Sequence, residues 1–432
     1  MKKTYVLDTN VFLTDPKSFK SYGRSDVVVP TVVLDEIDKH KHRQDTVGAN
    51  ARKTNRILDK YRFGGSLSKG VRIAKGQGLL YVSSYEKQDI PVGFDPEDSD
   101  NKIIATALSL SRHGKKVILV SKDFNLRVKA DSVGIKCEDY NLEKTVENPE
   151  ELFSGLRTVI TSEENIDKFY TGNLILEDSK YEPNEFLLLQ SEANDKKTAV
   201  CKFVNKIEPV RKIVSYKDIW GVRARNKEQE FALDLLFDRD IHIVSLVGRA
   251  GSGKTLLSIA SGLEQVLNKT AHSKGYQKLI VTRPVQPMGR DIGFLPGTLE
   301  EKMMPWVAPI RDNLEHLFGD KAAMEMYMEQ GTIEVEAMTY IRGRSISNAF
   351  IILDEAQNLT IHELKTIITR VGEGTKIVLT GDIQQIDNAY VDSTSNGLAY
   401  AVEKFKNYKI SGHVTLSKGE RSQLASLAAE IL

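Results

Sequence analysis

Two spacings of apolar residues succeed one another along this chain. Short apolar runs, Thr4 to Leu7, Val27 to Val29, Leu79 to Val82 and Val117 to Val120, are separated by stretches with helical spacing, Thr31 to Lys41, Ala49 to Tyr61 and Asp100 to Ser111. That alternation predicts strands and helices folded into a parallel α/β sheet. From about Asn173 to Val214 the pattern changes. The runs Leu174-Ile-Leu, Glu185-Phe-Leu-Leu-Leu and Thr198-Ala-Val-Cys-Lys-Phe-Val, broken by Asp-Ser, Pro-Asn and Asn-Asp turns, predict a small all-β module. A second α/β layer structure is expected from about residue 216 onward. The expected organisation is therefore residues 1–145, a linker with a β-rich module at 146–215, and residues 216–432. Three domains suit a chain of 432 residues. Internal repeats and low-complexity tracts are not evident.

Composition narrows the setting. Sixty basic residues against fifty-nine acidic ones give a net charge of +1, so only local clusters can argue for a nucleic-acid partner. Two cysteines, Cys137 and Cys201, are too few for a disulfide framework or a structural zinc site. The opening Met-Lys-Lys-Thr-Tyr-Val-Leu-Asp lacks the apolar core of a signal peptide, and no apolar stretch approaches the roughly eighteen residues that span a bilayer. A cytoplasmic location without membrane partners is expected.

The densest chemistry follows the apolar run Ile241 to Val247. Gly248-Arg249-Ala250-Gly251-Ser252-Gly253-Lys254-Thr255 is a glycine loop between a strand and the apolar helix Leu256 to Leu267. Glycines let successive N–H groups turn toward one point, where they and the helix start hold phosphate oxygens. Lys254 adds a point charge and Thr255 a magnesium ligand. The strand Ala349-Phe-Ile-Ile-Leu ends in Asp354-Glu355. Asp354 is expected to hold the metal's water shell and Glu355 to orient or deprotonate an attacking water. These residues imply a nucleoside triphosphatase using ATP and Mg2+.

The first segment carries its own acids at strand ends and helix starts: Asp8, Glu36, Asp98, Asp100 and Asp123. In a parallel sheet these positions face one crevice. Gathered carboxylates repel unless a cation such as Mg2+ or Mn2+ neutralises them, and metals so held activate water on a phosphodiester. Each acid alone also suits a turn or an N-cap.

Val6-Leu-Asp8-Thr-Asn10, Val29-Pro-Thr-Val-Val-Leu-Asp-Glu36, Asp100-Asn-Lys-Ile-Ile-Ala and Val120-Ser-Lys-Asp123-Phe-Asn together resemble the four motifs of PIN-domain ribonucleases. The resemblance covers roughly residues 1 to 140. It implies that Asp8, Glu36, Asp100 and Asp123 bind metal, with Asn10 supporting and Asp98 a fifth acid.

Beyond the phosphate loop, Thr282-Arg-Pro, Gly293-Phe-Leu-Pro-Gly297, Tyr340-Ile-Arg-Gly-Arg344, Ile352-Leu-Asp-Glu-Ala-Gln-Asn358 and Thr380-Gly-Asp-Ile-Gln-Gln385 resemble the PhoH family of ATPases. The whole chain is similar to bacterial PIN–PhoH proteins. That resemblance implies ATP-driven RNA unwinding coupled to cleavage. It also implies a γ-phosphate sensor at Gln385 and an arginine finger at Arg421. Asn226-Lys-Glu-Gln229 resembles the adenine-reading motif of superfamily 1 helicases. Those helicases close two ATPase-type domains on one nucleotide, whereas this chain has room for one. A homo-oligomer, a hexameric ring with Arg421 acting across subunits, is therefore expected.

The expected partner is single-stranded or tailed RNA. Basic groups for it are Lys39 to Arg43, Arg52, Lys53, Arg56, Lys60 and Arg62, a stretch that is equally readable as a solvated helical face. Arg283, Arg342 and Arg344 fall inside the family motifs. Trp306 and Phe294 read as core residues rather than base-stacking platforms. Two other readings stay open: a PhoH-type ring whose PIN domain is an RNA- or protein-binding scaffold, and a DNA-directed helicase or nuclease.

Overall fold

The computed structural model describes residues 2–43, 46–140, 145–146, 148–177, 180–268, 275–284, 299–338, 345–388 and 391–419. The chain forms two compact units, Met1–Glu143 and Lys144–Leu432.

The first unit is built on six strands, β1 (Lys3–Leu7), β2 (Asp26–Pro30), β3 (Val71–Arg72), β4 (Leu79–Ser83), β5 (Lys116–Val120) and β6 (Cys137–Glu138). Their order is β3-β4-β2-β1-β5-β6, parallel except at the β3 edge. Helices cover the sheet, so its central strands are buried end to end, which is why they read as unbroken apolar runs. Phe12, Phe19, Ile37, Leu80, Ile103, Ile104 and Ile118 are fully buried in this core. The chain leaves β1 toward β2 on one side and pairs with β5 on the other, and such a switch point opens a crevice at the carboxyl ends of the strands.

The second unit contains two sheets. The smaller joins β7 (Leu156–Thr161), β8 (Phe186–Ser191), β9 (Thr198–Lys202) and β10 (Arg211–Lys212) in the order β10-β9-β8-β7. A helix, Glu163–Tyr170, connects the parallel pair β7 and β8, capped by Ser162 and burying Ile166 and Phe169. Leu174-Ile-Leu is not a strand. Leu174 is buried in the small core and accepts a backbone bond from Val210 at 2.9 Å.

The small sheet packs against the nucleotide-loop fold. Phe186 on β8 stacks on Phe231 with ring centroids 4.4 Å apart, and the amide of Asn184 donates to the Lys409 and Ser411 carbonyls at 2.9 and 2.7 Å. Lys202 on β9 bonds Asp234 at 2.7 Å and Asp238 at 2.8 Å, in a nearly dry contact with the helix Lys227–Phe237. The small sheet and the nucleotide-loop fold therefore share one packed unit.

The larger sheet holds β11 (Ile243–Gly248), β12 (Lys278–Arg283), β13 (Ile333–Ala337), β14 (Ala349–Leu353), β15 (Lys376–Gly381) and β16 (Ser411–Leu416), in the order β13-β12-β14-β15-β11-β16. All its pairs are parallel. β15 lies between the strand that feeds the glycine loop and the strand that ends in the acid pair. Residues just past β15 are thereby placed between the two.

Candidate nucleotide-binding and nuclease sites

The glycine loop leaves β11 and enters the helix Lys254–Leu267, whose N-cap Gly253 is left-handed at φ 88°. Gly251 shares that backbone region at φ 80°, which a side chain would strain. Gly248 is bare for a different reason: a Cβ there would lie 2.4 Å from the Leu416 carbonyl oxygen of β16.

Four interactions shape the loop. The Lys254 ammonium donates to the carbonyls of Gly248 at 2.6 Å and Arg249 at 2.9 Å, folded into the loop it serves. Gln229 donates from Nε2 to the Ser252 carbonyl at 3.0 Å. Asp382, one residue past β15, accepts from the Ala250 N–H at 3.0 Å.

The acid pair follows β14. Asp354 is buried, and its Oδ1 accepts from Thr255 Oγ1 at 2.8 Å and from Thr380 Oγ1 at 2.6 Å. The loop threonine and the strand-end acid are thus in direct contact. Hydroxyl and carboxylate oxygens side by side suit a hard cation such as magnesium, so these two residues fit the group expected there. Glu355 points differently, taking Arg283 Nη2 at 3.2 Å and Gln357 Nε2 at 2.5 Å.

Sequence reasoning meets the structure unevenly here. Gln229 is placed against the loop, but its amide is buried and engaged at both ends: Nε2 on Ser252 and Oε1 on the Arg225 N–H at 2.8 Å. It braces the phosphate loop in this structure rather than offering a free edge to a base. Gln385 has an exposed side chain in the segment after β15, and its carbonyl accepts from Gln357 at 2.8 Å. Trp306 is half-buried in the helix Leu299–Phe318. Gly293 to Gly297 with Phe294, Tyr340 to Arg344, and Arg421 lie outside the described residues. Asp382 and Thr380 were overlooked as individual residues. Their motif was visible, but their partners depend on the strand order.

In the first unit Asp8, Asp98, Asp100 and Asp123 stand at helix starts, whereas Glu36, expected at one, lies midway along the helix Thr31–His40. Asp8 follows β1, where its N–H donates to the Val120 carbonyl at 3.0 Å. Its carboxylate caps Thr9 at 2.6 Å and accepts from Ser121 Oγ at 2.6 Å. Asn10 approaches it at 3.4 Å. Glu36 accepts from the Thr9 hydroxyl. Asp98 caps the helix Ser99–Arg112, and Asp123 caps the helix Phe124–Ser132 through the N–H groups of Asn125 and Leu126.

Their electrostatics tie them together. Burial pushes the Asp8 carboxyl up to about 7, and the charges of Asp100 and Glu36 add to the push against bonds from Ser121 and Thr9. Asp100 is raised by burial and then by Asp98 and Asp123. At Asp98 burial also pushes upward, but bonds from Lys129 at 3.1 Å and from the N–H groups of Asp100 and Asn101 win and hold it below its ordinary value. Asp100 is the hub of the set: its charge acts on Asp8, and the charges of Asp98, Asp123 and Glu36 act on it. Among the described residues no three such side chains close round a point as a metal cage. Five hard oxygen donors in one crevice fit magnesium or manganese.

The basic stretch is an exposed face. Lys53, Arg56 and Lys60 on the helix Thr46–Phe63 point to solvent, whereas Arg52 is spent on the Lys41 and Arg43 carbonyls.

Fold and sites define a class: a PIN-type α/β domain followed by a nucleotide-binding domain with a phosphate loop on a six-stranded parallel sheet. Residues 5–141 match the PIN domain, and residues 221–431 match the PhoH-like protein family. The chain is 46% identical to Protein PhoH2 of Bacillus subtilis and 36% identical to Protein PhoH2 of Mycolicibacterium smegmatis. These alignments cover all of this chain and 100% and 97% of those proteins. This chain belongs to the PhoH2 family. A likeness to the UvsW helicase from bacteriophage T4, at 13% identity and a TM-score of 0.27 over 68% of this chain and 77% of that one, carries no argument about function.

Proposed function

We propose that this protein is an ATP- and divalent-cation-dependent ribonuclease whose second unit acts as an RNA helicase or translocase feeding the first. One observation carries the reading. A single chain holds a phosphate loop whose Thr255 touches the strand-end acid Asp354, together with a separate group of carboxylates in which Asp100 is raised by the charges of Asp98, Asp123 and Glu36 and itself raises Asp8. The first arrangement suits hydrolysis of a nucleotide, the second hydrolysis of a phosphodiester.

In the second unit, Lys254 moves its ammonium from the loop carbonyls to the β- and γ-phosphates of ATP. Glu355 then takes a proton from the attacking water, and Gln385 lies on the segment that senses the γ-phosphate. Thr255 and Asp354 would hold magnesium, which offsets phosphate charge when bound. In the first unit Asp8, Glu36, Asp100 and Asp123, with Asp98 beside them, would hold Mg2+ or Mn2+, whose chemistry is to activate water at the scissile phosphate. Ser121, Thr9 and Asn10 keep Asp8 and Glu36 oriented. The exposed Lys53, Arg56 and Lys60 supply sequence-independent attraction for an RNA backbone.

The full reading includes a homo-oligomeric, hexameric ring in which Arg421 of a neighbouring copy completes the ATP site, and a cytoplasmic setting. Among the described residues no helix is long and apolar enough to cross a membrane.

The test is magnesium-dependent cleavage of a tailed RNA duplex, with and without ATP. Intact protein should cut the tail and, with ATP, extend cleavage into the duplex. Lys254→Ala should lose only the extension, and Asp100→Asn should lose all cleavage. A second reading, a PIN domain that only binds RNA or protein, is favoured by the spread acids and by the use of Asp8 and Asp123 as helix caps. ATP consumption with intact RNA would give that reading the lead.

A further inference from the structure

Glu355 is the candidate base, yet in this structure both oxygens of its carboxylate accept from protein donors. β12 and β14 are in register with Thr282 opposite Leu353, so Arg283, one residue on, and Glu355, two residues on, both lie at the carboxyl ends of neighbouring strands. The guanidinium of Arg283 occupies Oε1 and the amide of Gln357 occupies Oε2. A base must present an oxygen to the proton it removes, and both oxygens here are directed at protein donors.

Two further features show that this is a built arrangement. Glu355 is left-handed at φ 52° and ψ 39°, a region that a residue with a side chain occupies only where its surroundings hold it. Gln357 is fully buried and has its whole amide engaged. Nε2 reaches Glu355 and the Gln385 carbonyl, while Oε1 accepts from the Asp382 N–H at 3.2 Å. Asp382 in turn holds Ala250 of the phosphate loop. The pose of Glu355 is thus connected through Gln357 to the γ-phosphate segment and the loop.

Solvent reaches Arg283, whose side chain is 23% exposed, and among the described residues its anionic partner is Glu355. Arginine grips phosphate with the same planar fork that grips carboxylate, so an RNA phosphate and Glu355 compete for it on similar terms. Exchange of one anion for another at the same cation is close to balanced, as a switch requires.

We propose that Arg283 is a latch on the catalytic base. It holds Glu355 in a resting pose, and the phosphate backbone of an RNA strand releases the carboxylate by drawing the guanidinium away. Hydrolysis of ATP is thereby coupled to occupancy by the strand. Arg283 acts through Glu355 and is a positioning residue. The proposal rests on the reading of Glu355 as the base of an ATPase.

The experiment is steady-state ATP hydrolysis by the full chain with and without single-stranded poly(U), for the parent, Arg283→Met, Arg283→Lys and Glu355→Gln. Arg283→Met keeps the apolar stem but donates nothing, so its kcat without RNA should rise several-fold with little change in KM for ATP. Its stimulation by RNA should shrink toward none. Arg283→Lys should lie between it and the parent, and it carries the test alone if Arg283→Met does not fold. An RNA-free kcat that is unchanged or lowered in folded, ADP-binding Arg283 variants overturns the latch. The same result would follow if ATP alone already displaced Arg283. Glu355→Gln separates the two levels: persistent hydrolysis there removes the parent reading, whereas an inert Glu355→Gln beside unresponsive Arg283 variants removes only the latch.

Discussion

Asp382 offers a sharp test of how the phosphate loop is held. The Ala250 N–H donates to one Asp382 oxygen at 3.0 Å, and a second N–H, that of Gln384, donates to the other at 3.0 Å. A hydrogen bond to a charged acceptor contributes about 1.5–3 kcal/mol. With Asp382→Ala the loop must be ordered at the moment of binding, adding about 2 kcal/mol, or roughly thirtyfold in Kd. A competing effect has the opposite sign. A carboxylate about 4 Å from the triphosphate repels it by about 1 kcal/mol per charge pair in bulk-water dielectric and by more where water is excluded, so its removal also favours binding. Asp382→Asn separates the two, because it keeps an acceptor and removes the charge. The expected order of affinity for a fluorescent ATP analogue, measured by equilibrium titration, is Asn variant at or above parent, with the Ala variant well below both. Melting curves would confirm that both variants are folded. If Asp382→Ala binds within twofold of the parent, or tighter, the loop does not depend on this carboxylate and the reasoning is refuted.

Other consequences follow from the same geometry. Glu355→Gln should bind ATP normally and lose about 10²–10⁴ in kcat, as expected for a general base; an unaffected kcat in a phosphate-release assay would remove it from that role. Asp8→Asn and Asp100→Asn should leave ATP hydrolysis intact while RNA cleavage disappears on a denaturing gel; loss of both activities together would point to unfolding instead. His413 is buried with Nδ1 on the Ser245 carbonyl at 2.9 Å, and burial lowers it to about 4 against bonds to Ser245 and Phe153. The unfolded chain therefore binds the extra proton between about pH 6.5 and 4, so this stability is present above 6.5 and lost on acidification, by at most about 3 kcal/mol. In urea titrations at pH 7.5 and 5, His413→Gln should show a smaller drop in midpoint than the parent, and an equal drop would dismiss the histidine as the cause.

What was legible in the sequence follows from what each residue depends on. β1, β2 and β5 were visible because burial on both faces leaves unbroken apolar runs, β4 because of its short apolar run around the buried Leu80, and the glycine loop because its chemistry is local. Asp8, Asp98, Asp100 and Asp123 were visible because strand ends and helix starts are local too. The helix Glu163–Tyr170 was missed because eight residues opening on two glutamates give little periodicity. Leu174-Ile-Leu misled because a three-residue apolar run does not tell a strand from a core-facing loop. The roles of Thr380, Asp382 and Arg283 needed the strand order, which sets β15 between the loop and the acids and β12 beside β14. No local pattern records which strands are neighbours. Gln229 shows the converse: its place beside the loop was foreseen, but its hydrogen bonds were decided by burial.

The clasp between the small sheet and the nucleotide-loop fold bears on how such a chain can be cut and recombined. A fragment beginning at residue 216 would strip Phe186 from Phe231 and remove Lys202 from Asp234 and Asp238, leaving an apolar face open and two carboxylates without their cation. Such a fragment should aggregate on expression, whereas one beginning at residue 145 should remain dispersed and bind ATP. The piece that can be grafted onto another partner as a working motor is thus longer than its nucleotide-binding motifs suggest, and the small sheet travels with it as part of the engine housing.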